Sequence, residues 1–303
     1  MSDKKQFVLL AGASGHIGSF LYNSLNKYYT ITALGHSTKS IHKRFFSLDL
    51  TKVQQVKQFV EKIEKHDALI FLVGLAHKKG RAKEILDFRN VNTQSLIFLL
   101  NELKDKNKSP NKIIFASTIS VYGEKIETNI YDENSEKNPC SPYAITKLET
   151  EEFLLNNYIE KAWILRFAPV YSMKLQLNID RRIKLGDYFF KVGNGGKKIS
   201  LCNMENIGLV VKAILEEKVP PGIYNISDKV EYTYNDLLEN VDTNFIVSIP
   251  IFLLKGLYYI GKIMNNIFLM ENTIKLVTDN TFPSNKIREY VELDHTLKST
   301  SYD

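Results

Sequence analysis

Three glycines, spaced three residues apart, follow the first apolar run of the chain. Phe7–Ala11 has the composition of a buried parallel strand, and residues 17–27 have a helical pattern. The run GASGHIG (residues 12–18) lies between them. Glycines let a backbone turn sharply and approach a pyrophosphate, while a helix N-terminus offers N–H groups to its charge. The sequence therefore predicts a dinucleotide site with contacts from Gly12, Ser14, Gly15, His16, Ile17 and Gly18.

Short apolar runs alternate with helical patterns through the first half of the chain. Strands are predicted at 29–34, 45–48, 68–73, 112–116 and 163–167, with helices at 53–65 and 83–103 between them. This alternation is typical of an α/β fold with a doubly wound parallel sheet of the Rossmann type.

The composition is that of an ordinary globular protein. The chain has 303 residues, of which 44% are hydrophobic and 24% charged, with a formal charge of +6. Because no Lys/Arg block is interleaved with aromatics, nucleic acid is not the favoured partner. Cys140 and Cys202 have neither metal-ligand nor disulfide spacing, so no metal is expected. Residues 1–6 are polar and precede a strand directly, which predicts a cytoplasmic protein without a secretory signal.

A tyrosine and a lysine four positions apart open another predicted helix, in the run SPYAITK (residues 141–147). Side chains at this spacing lie one above the other on a helix face. A free tyrosine has a pKa near 10 and is a poor base at neutral pH. We expect the ammonium of Lys147 to lower the pKa of Tyr143 and make it a general acid/base. The same spacing also occurs on ordinary solvated helices.

Two further stretches support the chemical interpretation. The run STISVYG (residues 117–123) ends the apolar run 112–116, and Asn92 lies on the helix predicted before it. Ligands of open α/β sheets bind outside the carboxyl ends of strands, where Thr118 is expected. Thr118 precedes Tyr143 by 25 positions (143 − 118). With these motifs in this order, the chain resembles the extended short-chain dehydrogenase/reductase family, the NAD-dependent epimerase/dehydratase group, strongly to about Tyr171 and loosely afterwards.

The resemblance implies hydride transfer between a sugar carbon and NAD or NADP. Thr118, Tyr143 and Lys147 would be the catalytic residues. Tyr143 would take the proton of a sugar hydroxyl, and Thr118 would orient the same oxygen. Lys147 would lower the pKa of the tyrosine and hold the nicotinamide ribose, so Tyr143 and Lys147 also count as cofactor contacts.

Further cofactor contacts follow from the same resemblance. They fall on Asp49 and Leu50 at the adenine end, and on Gly74 and Asn92 near the path of the cofactor. His77 either faces the substrate or caps its loop.

The run Gly35-His36-Ser37 stands where an NAD enzyme usually has an acid for the ribose hydroxyls. Without that acid a 2′-phosphate is not repelled, and His36, Ser37 and Lys39 could hold one. The sequence leans towards NADP over NAD, although Lys39 can equally be a solvated loop charge.

The resemblance also predicts how the chain is divided into domains. A Rossmann domain is expected over residues 1–170, with a returning helix and strand near 205–226, and a small C-terminal substrate-binding lobe over 171–303.

The resemblance also implies substrate contacts in this lobe. Asn178 matches a position that touches the nucleotide of a sugar nucleotide. The run VGNGGKK (residues 192–198) resembles a stretch before substrate-phosphate contacts, but the usual arginine is missing. Lys197 or Lys198 would replace it as a point charge.

Several reactions share this apparatus. A 4,6-dehydratase has Asp-Glu directly after the catalytic threonine, whereas this chain has Ile119 and Ser120, so a dehydratase is not expected. We expect a 4-epimerase of a (nucleotide-)diphospho-sugar in bacterial surface polysaccharide synthesis. The alternatives are an NADPH-dependent 4-keto-sugar-nucleotide reductase, an epimerase of a polyprenyl-diphosphate-linked N-acetylhexosamine, and a non-catalytic dinucleotide-binding regulator.

Residues 245–270 form an unusually apolar stretch that contains Pro250, Lys255 and Lys262. Its uncharged runs are too short to span a bilayer. We expect helices of the substrate lobe here, with peripheral membrane contact as the alternative. By analogy with the family, the helices that carry Asn92 and Tyr143 are expected to pair in a homodimer.

Overall fold

A computed structural model of the chain describes residues 5–36, 44–75, 84–123, 125–127, 130–239, 241, 243 and 245–299. In these ranges the strands are β1 (Phe7–Ala11), β2 (Thr30–Gly35), β3 (Phe45–Ser47), β4 (Ala68–Phe71), β5 (Lys112–Thr118), β6 (Ala162–Phe167), β7 (Val170–Tyr171), β8 (Lys184–Leu185), β9 (Tyr188–Val192), β10 (Cys202–Asn203), β11 (Gly222–Ile226) and β12 (Ile246–Ile249). The α-helices are α1 (His16–Leu25), α2 (Val53–Lys62), α3 (Ile85–Arg89), α4 (Ser95–Asp105), α5 (Pro142–Tyr158), α6 (Leu177–Ile183), α7 (Met204–Leu215), α8 (Tyr234–Leu238), α9 (Ile251–Ile263), α10 (Ile267–Val277) and α11 (Asn285–Arg288).

Seven strands form one sheet in the order β11-β6-β5-β4-β1-β2-β3. The pairs β1–β2, β1–β4, β2–β3 and β4–β5 are parallel, and Leu9 lies opposite both Thr32 and Leu69. The strand order therefore reverses at β1, with β2 on one side and β4 on the other. Ligands of such sheets bind in the crevice at this reversal, beyond the carboxyl ends of the strands. The Rossmann-type doubly wound sheet that the sequence predicts is confirmed.

The core of the sheet is apolar on strands and helices alike. Leu9, Leu69 and Ile113 are almost fully buried against residues of α2 and α4 such as Phe59 and Leu99. Strands buried on both faces read as continuous apolar runs, which is why the sequence located them. This packing fixes the carboxyl ends of β1, β4 and β5.

One predicted helix is interrupted. The helix expected at 83–103 consists of α3, a π-helical turn Asn90–Gln94 and α4 in direct succession. A π-turn inserts an extra residue per turn and leaves backbone groups outside the regular ladder; such turns occur frequently at functional sites. Here the turn carries Asn92.

The chain divides into two compact units. The first comprises Met1–Thr118, Pro142–Arg166 and Val210–Tyr224, and the second comprises Ile119–Ser141, Phe167–Leu209 and Asn225–Asp303. Residues 119–141, which the predicted boundary at 170 placed with the Rossmann domain, cluster with the second unit. The second unit has its own apolar core around Tyr171, Phe190 and Leu201.

A buried carboxylate ties several segments of the second unit together. Asp228 accepts hydrogen bonds at 2.7 Å from the hydroxyls of Tyr171 and Tyr232 and from the backbone N–H of Asn203. Burial raises the pKa of Asp228, although these hydrogen bonds act in the opposite direction. Because all three of these partners belong to the second unit, Asp228 stabilises the packing of that unit.

Candidate active site

The loop after β1 is shaped by glycines that cannot be replaced without strain. Gly12 has φ +90°, a conformation that side chains other than glycine rarely adopt. A Cβ added to Gly18 would lie 2.1 Å from the carbonyl oxygen of Gly12. At Gly15 the nearest atom would be 3.4 Å away, which is an ordinary contact. The tight turn and the close approach of α1 to it therefore depend on Gly12 and Gly18.

The N-terminus of α1 opens from this loop. Its N-cap is Gly15, and no side chain accepts a hydrogen bond from the first turn. The leading N–H groups of a helix have no partner within the helix, so they are available to an anion. Ser14, Gly15 and His16 are exposed, while Ile17 is half-buried. The loop and helix therefore fit the pyrophosphate of a dinucleotide at the strand reversal.

The end of β2 approaches the same loop. A Cβ at Gly35 would lie 2.9 Å from the Ser14 hydroxyl and 2.9 Å from the Phe45 ring. An acidic side chain does not fit at position 35 without a shift of these neighbours. His36 follows and is exposed. Ser37 and Lys39, the other residues predicted to hold a 2′-phosphate, lie outside the described residues, as does His77.

Asp49 and Leu50 follow β3. One carboxylate oxygen of Asp49 accepts hydrogen bonds from the Thr51 N–H at 2.9 Å and from its hydroxyl at 2.7 Å. Partial burial would raise the pKa of Asp49, but these hydrogen bonds lower it below its ordinary value. Leu50 is buried. These hydrogen bonds hold the turn, and the adenine contact predicted for Asp49 and Leu50 stays a prediction.

Asn92 joins the loop after β4 to α5. Its side-chain oxygen accepts a hydrogen bond from the Leu75 N–H at 2.8 Å, and its amide nitrogen donates to the Thr146 hydroxyl at 2.9 Å. Asn92 is fully buried. The side chain, predicted as a cofactor contact, thus positions the loop at Gly74, where an added Cβ would lie 3.2 Å from the Lys147 Nζ.

Thr118, Tyr143 and Lys147 meet at the carboxyl end of β5. The side chains of Thr118 and Tyr143 share a hydrogen bond. The Lys147 ammonium donates to the carbonyl of Ala116 at 2.8 Å and lies 3.4 Å from that of Val73. It also lies 4.6 Å from the centroid of the Phe115 ring, a cation–π distance. The structure thus brings the three predicted catalytic residues together.

Burial sets the protonation of this cluster. It raises the pKa of Tyr143 to about 12, although the hydrogen bond with Thr118 acts in the opposite direction. Burial also lowers the pKa of Lys147 to about 7, against the charge of Glu151, which raises it. The prediction that Lys147 lowers the pKa of Tyr143 is wrong for this structure. Removing the phenolate from water raises the pKa of Tyr143, and the Lys147 amine, which is itself desolvated and bound to the carbonyl of Ala116, does not offset this rise.

A buried ion pair lies directly behind Lys147. Arg166 and Glu151 are almost fully buried, and Arg166 Nη2 lies 2.6 Å from Glu151 Oε2. The hydroxyl of Ser117, next to Thr118, also hydrogen-bonds Glu151. Glu151 was not among the site residues predicted from the sequence. Its position four residues after Lys147, on the same helix face, was the available signal.

The predicted substrate contacts have local partners in the second unit. Asn178 donates to the carbonyl of Val170 at 2.8 Å. Lys197 pairs with Asp279 at 3.0 Å, and Lys198 with Glu231 at 2.8 Å. A cavity of about 260 Å³ lies between α6, β9 and α8, and neither Asn178 nor Lys197 lines it. Substrate binding by these residues stays a prediction.

The chain resembles known proteins in both its sequence and its fold. Residues 8–227 match the family described as the NAD dependent epimerase/dehydratase family. The dTDP-D-glucose 4,6-dehydratase of Dictyostelium discoideum is 29% identical over 178 residues, which are 50% of this chain and 40% of that protein. The chain spans about half the length of the curated relatives it matches.

Two solved structures resemble the chain over nearly its full length. The UDP-glucose 4-epimerase of Thermotoga maritima, with UDP-glucose, has a TM-score of 0.73 and 19% identity, covering 97% of this chain and 96% of that one. The UDP-glucuronic acid 4-epimerase of Bacillus cereus, in complex with NAD, has a TM-score of 0.68 and 21% identity, covering 97% and 93%. At these identities the likeness shows a shared fold.

Proposed function

Because the chain belongs to the NAD dependent epimerase/dehydratase family, we propose that it is an NAD(P)-dependent 4-epimerase of a diphospho-sugar. The observation that carries the proposal is the cluster of Thr118, Tyr143 and Lys147 at the carboxyl end of β5. A protein that only binds a dinucleotide does not need this combination. The similar structures named above are 4-epimerases of UDP-sugars, which supports the same class of substrate.

Each residue of the cluster has a role that its surroundings allow. A bound NAD or NADP would supply hydride acceptance and donation. Gly12, Gly18 and the N-terminus of α1 would hold its pyrophosphate, and Lys147 would hold its ribose near Gly74. The phenolate form of Tyr143 would accept the proton of the C4 hydroxyl when the sugar is oxidised, and the phenol would return it on reduction. Because burial raises the pKa of Tyr143 to about 12 in the chain alone, the positive charge of a bound oxidised nicotinamide would have to lower this pKa. Thr118 hydrogen-bonds the same oxygen and keeps it at the phenol.

We propose an epimerase rather than a 4,6-dehydratase on local grounds. A dehydratase must also move a proton at C5 and eliminate water at C6, which requires another acid/base pair. Directly after Thr118 the chain has Ile119, which is buried, and Ser120. Neither side chain is an acid or base near neutral pH.

A second candidate is an NADPH-dependent 4-keto-sugar-nucleotide reductase. It is favoured by the end of β2. A side chain at Gly35 would require a shift of Ser14 and Phe45, and the exposed residue that follows is His36 rather than an acid. Such an end does not repel a 2′-phosphate. A reductase exchanges its cofactor in every turnover, whereas an epimerase restores it within the site.

The carrier of the sugar and the assembly of the protein are part of the proposal. A nucleotide diphosphate is the carrier we favour, and polyprenyl diphosphate is the alternative, in each case for bacterial surface polysaccharide. Asn178 and Lys197 are proposed contacts on the carrier side. We also propose a homodimer through the helices that carry Asn92 and Tyr143.

The reaction can be tested directly with nucleotide sugars. The purified chain is incubated with UDP-glucose, UDP-glucuronic acid or UDP-N-acetylglucosamine without added dinucleotide, and the anomeric proton signals are followed by NMR. We expect the C4 epimer of one substrate to accumulate to equilibrium. Tyr143→Phe should lower the rate by at least about a hundredfold, whereas Tyr158→Phe, the same change further along α5, should leave it unchanged.

Two outcomes would contradict the proposal. Oxidation of NADPH by a 4-keto sugar nucleotide, with no epimer formed in its absence, would identify a reductase. Full activity of Tyr143→Phe would remove the proposed acid/base.

A further inference from the structure

Helices α9 and α10 form a well-packed antiparallel hairpin in the second unit. Asn265 takes a left-handed conformation with φ 53°, and the Asn266 side chain accepts a hydrogen bond from the Leu269 N–H at 3.1 Å. A Cβ on Gly261 would lie 3.2 Å from Met270 and 3.3 Å from Leu269, so the two helices touch at this glycine. The hairpin is therefore a defined element with an inner and an outer side.

The outer side of this hairpin is apolar and exposed. Phe252, Ile263 and Phe268 are exposed by 70%, 86% and 63%. The other exposed large apolar side chains from α9 to the start of α10 are Leu253, Leu257, Tyr259, Ile260 and Met264. About half of the exposed large hydrophobic side chains of the described chain lie within residues 245–268. We call this exposed apolar surface the hairpin face. A helix that is apolar around most of its circumference is ordinarily buried, so we expect the hairpin face to bind a partner.

The fully exposed charged residues of the hairpin face are all lysines. Residues 243–270 contain no Asp or Glu, and the two charged residues there are Lys255 and Lys262. Both lysines are exposed on α9, seven residues apart and so on one side of the helix. Apolar and aromatic side chains with lysines beside them are the composition of helices that lie in a membrane interface. A second copy of the same face would bring lysines against lysines, and the one carboxylate of the hairpin, Glu271 on α10, is half-buried.

The length of the helices excludes a spanning arrangement. The 13 residues of α9 extend about 20 Å, compared with about 30 Å for the hydrocarbon core of a bilayer. In the described part of the chain no helix is long and apolar enough to cross a membrane.

We propose that the hairpin face docks on the surface of a bilayer that contains anionic lipids. Phe252, Ile263 and Phe268 enter the boundary between headgroups and acyl chains, and Lys255 and Lys262 contact the lipid phosphates. The site goes beyond the proposed reaction and stands whether the sugar is carried by a nucleotide or by a lipid.

Vesicle sedimentation with the full chain tests this site. We expect binding to vesicles of phosphatidylcholine with about 30% phosphatidylglycerol, and weaker binding to phosphatidylcholine alone or at high salt. Phe252→Ser combined with Ile263→Ser should lower the partition coefficient at least about tenfold. Lys255→Gln combined with Lys262→Gln should lower it and remove its dependence on salt.

A matched control variant distinguishes binding through the hairpin face from nonspecific binding by exposed apolar side chains. Ile159→Ser combined with Leu185→Ser removes two exposed apolar side chains elsewhere and should not change vesicle binding. Because the substituted residues are exposed, we expect each variant to stay folded. Circular dichroism and thermal unfolding check this. Failure of the wild-type chain to bind anionic vesicles, or equal loss in the control, would overturn the proposal. So would a wild-type dimer without vesicle binding that Phe252→Ser with Ile263→Ser converts to a monomer, since that result makes the face a self-association interface.

Discussion

The ammonium of Lys147 donates to the backbone carbonyl of Ala116 at 2.8 Å, one strand position before Ser117 and two before Thr118. The lysine is thereby fixed to the strand that presents the Thr118 hydroxyl. This contact explains how a nearly fully buried lysine keeps a defined position. It also explains why the cation does not reach over to lower the pKa of Tyr143 in this structure.

Stability should depend on pH through Lys147. Its pKa falls from 10.5 to about 7 on burial, so between these values the unfolded chain binds a proton that the folded chain does not. The free energy of unfolding therefore gains a contribution that rises with pH from about 7 to 10.5, by at most about 1.4 kcal/mol per pH unit. Lys147→Met should remove this contribution.

Urea unfolding of dinucleotide-free protein between pH 7 and 10 measures the effect. Lys62→Met, which changes an exposed lysine of α2, serves as the control and should keep the wild-type slope. An unchanged slope in Lys147→Met would mean that the lysine is charged throughout in the folded chain.

Breaking the buried ion pair behind Lys147 should lower the free energy of unfolding far more than breaking a surface pair. Glu151→Gln leaves the buried charge of Arg166 without its carboxylate, and we expect a loss of about 3–5 kcal/mol in the free energy of unfolding. Glu149→Gln on the same helix breaks the more exposed pair with Arg89 and should cost about 1 kcal/mol or less. Denaturant unfolding compares the two, and equal losses would contradict the role given to burial.

Two glycines at the loop after β1, Gly18 and Gly15, should respond differently to substitution by alanine. Gly18→Ala places a methyl group 2.1 Å from the Gly12 carbonyl oxygen and should destabilise the chain by about 1–3 kcal/mol or more. It should also weaken dinucleotide binding at least about tenfold, because the turn and the helix N-terminus must move apart. Gly15→Ala meets nothing closer than 3.4 Å, so its unfolding free energy should stay near that of the wild type. Thermal unfolding and titration with the dinucleotide test both variants.

Cofactor preference should respond to His36. An aspartate there would accept hydrogen bonds from ribose hydroxyls and repel a 2′-phosphate, so His36→Asp should shift the ratio of Kd values towards NADH by at least about tenfold. His36→Gln removes the imidazole without adding charge and should shift the ratio less. Fluorescence titration with NADH and NADPH measures the ratio. No shift in His36→Asp would mean that residue 36 does not face the ribose.

The sequence predicted the sheet well because its strands are buried on both faces. Phe7–Ala11 has the predicted limits, and its continuous apolar run is typical of a buried parallel strand. The π-turn at Asn90–Gln94 was not predicted, since it arises from contacts of Asn92 and Thr93 with Thr146 on a distant helix. Local pattern cannot contain such information.

The sequence predicted that three residues of the candidate site would lie together, but it did not predict their electrostatics. Motif spacing was enough to bring Thr118, Tyr143 and Lys147 together. Their pKa values depend on burial, and burial depends on Phe115, Glu151 and the whole sheet. For that reason the predicted lowering of the Tyr143 pKa was wrong while the residues themselves met as expected.

The most direct test of the central claim is the dinucleotide that the protein carries. Freshly purified chain is denatured, and any released dinucleotide is identified and quantified by mass spectrometry. An epimerase keeps its cofactor through a closed redox cycle, so we predict close to one oxidised dinucleotide, NAD⁺ or NADP⁺, per chain. A protein that releases none, yet oxidises added NADPH with a 4-keto sugar nucleotide, would contradict the epimerase account.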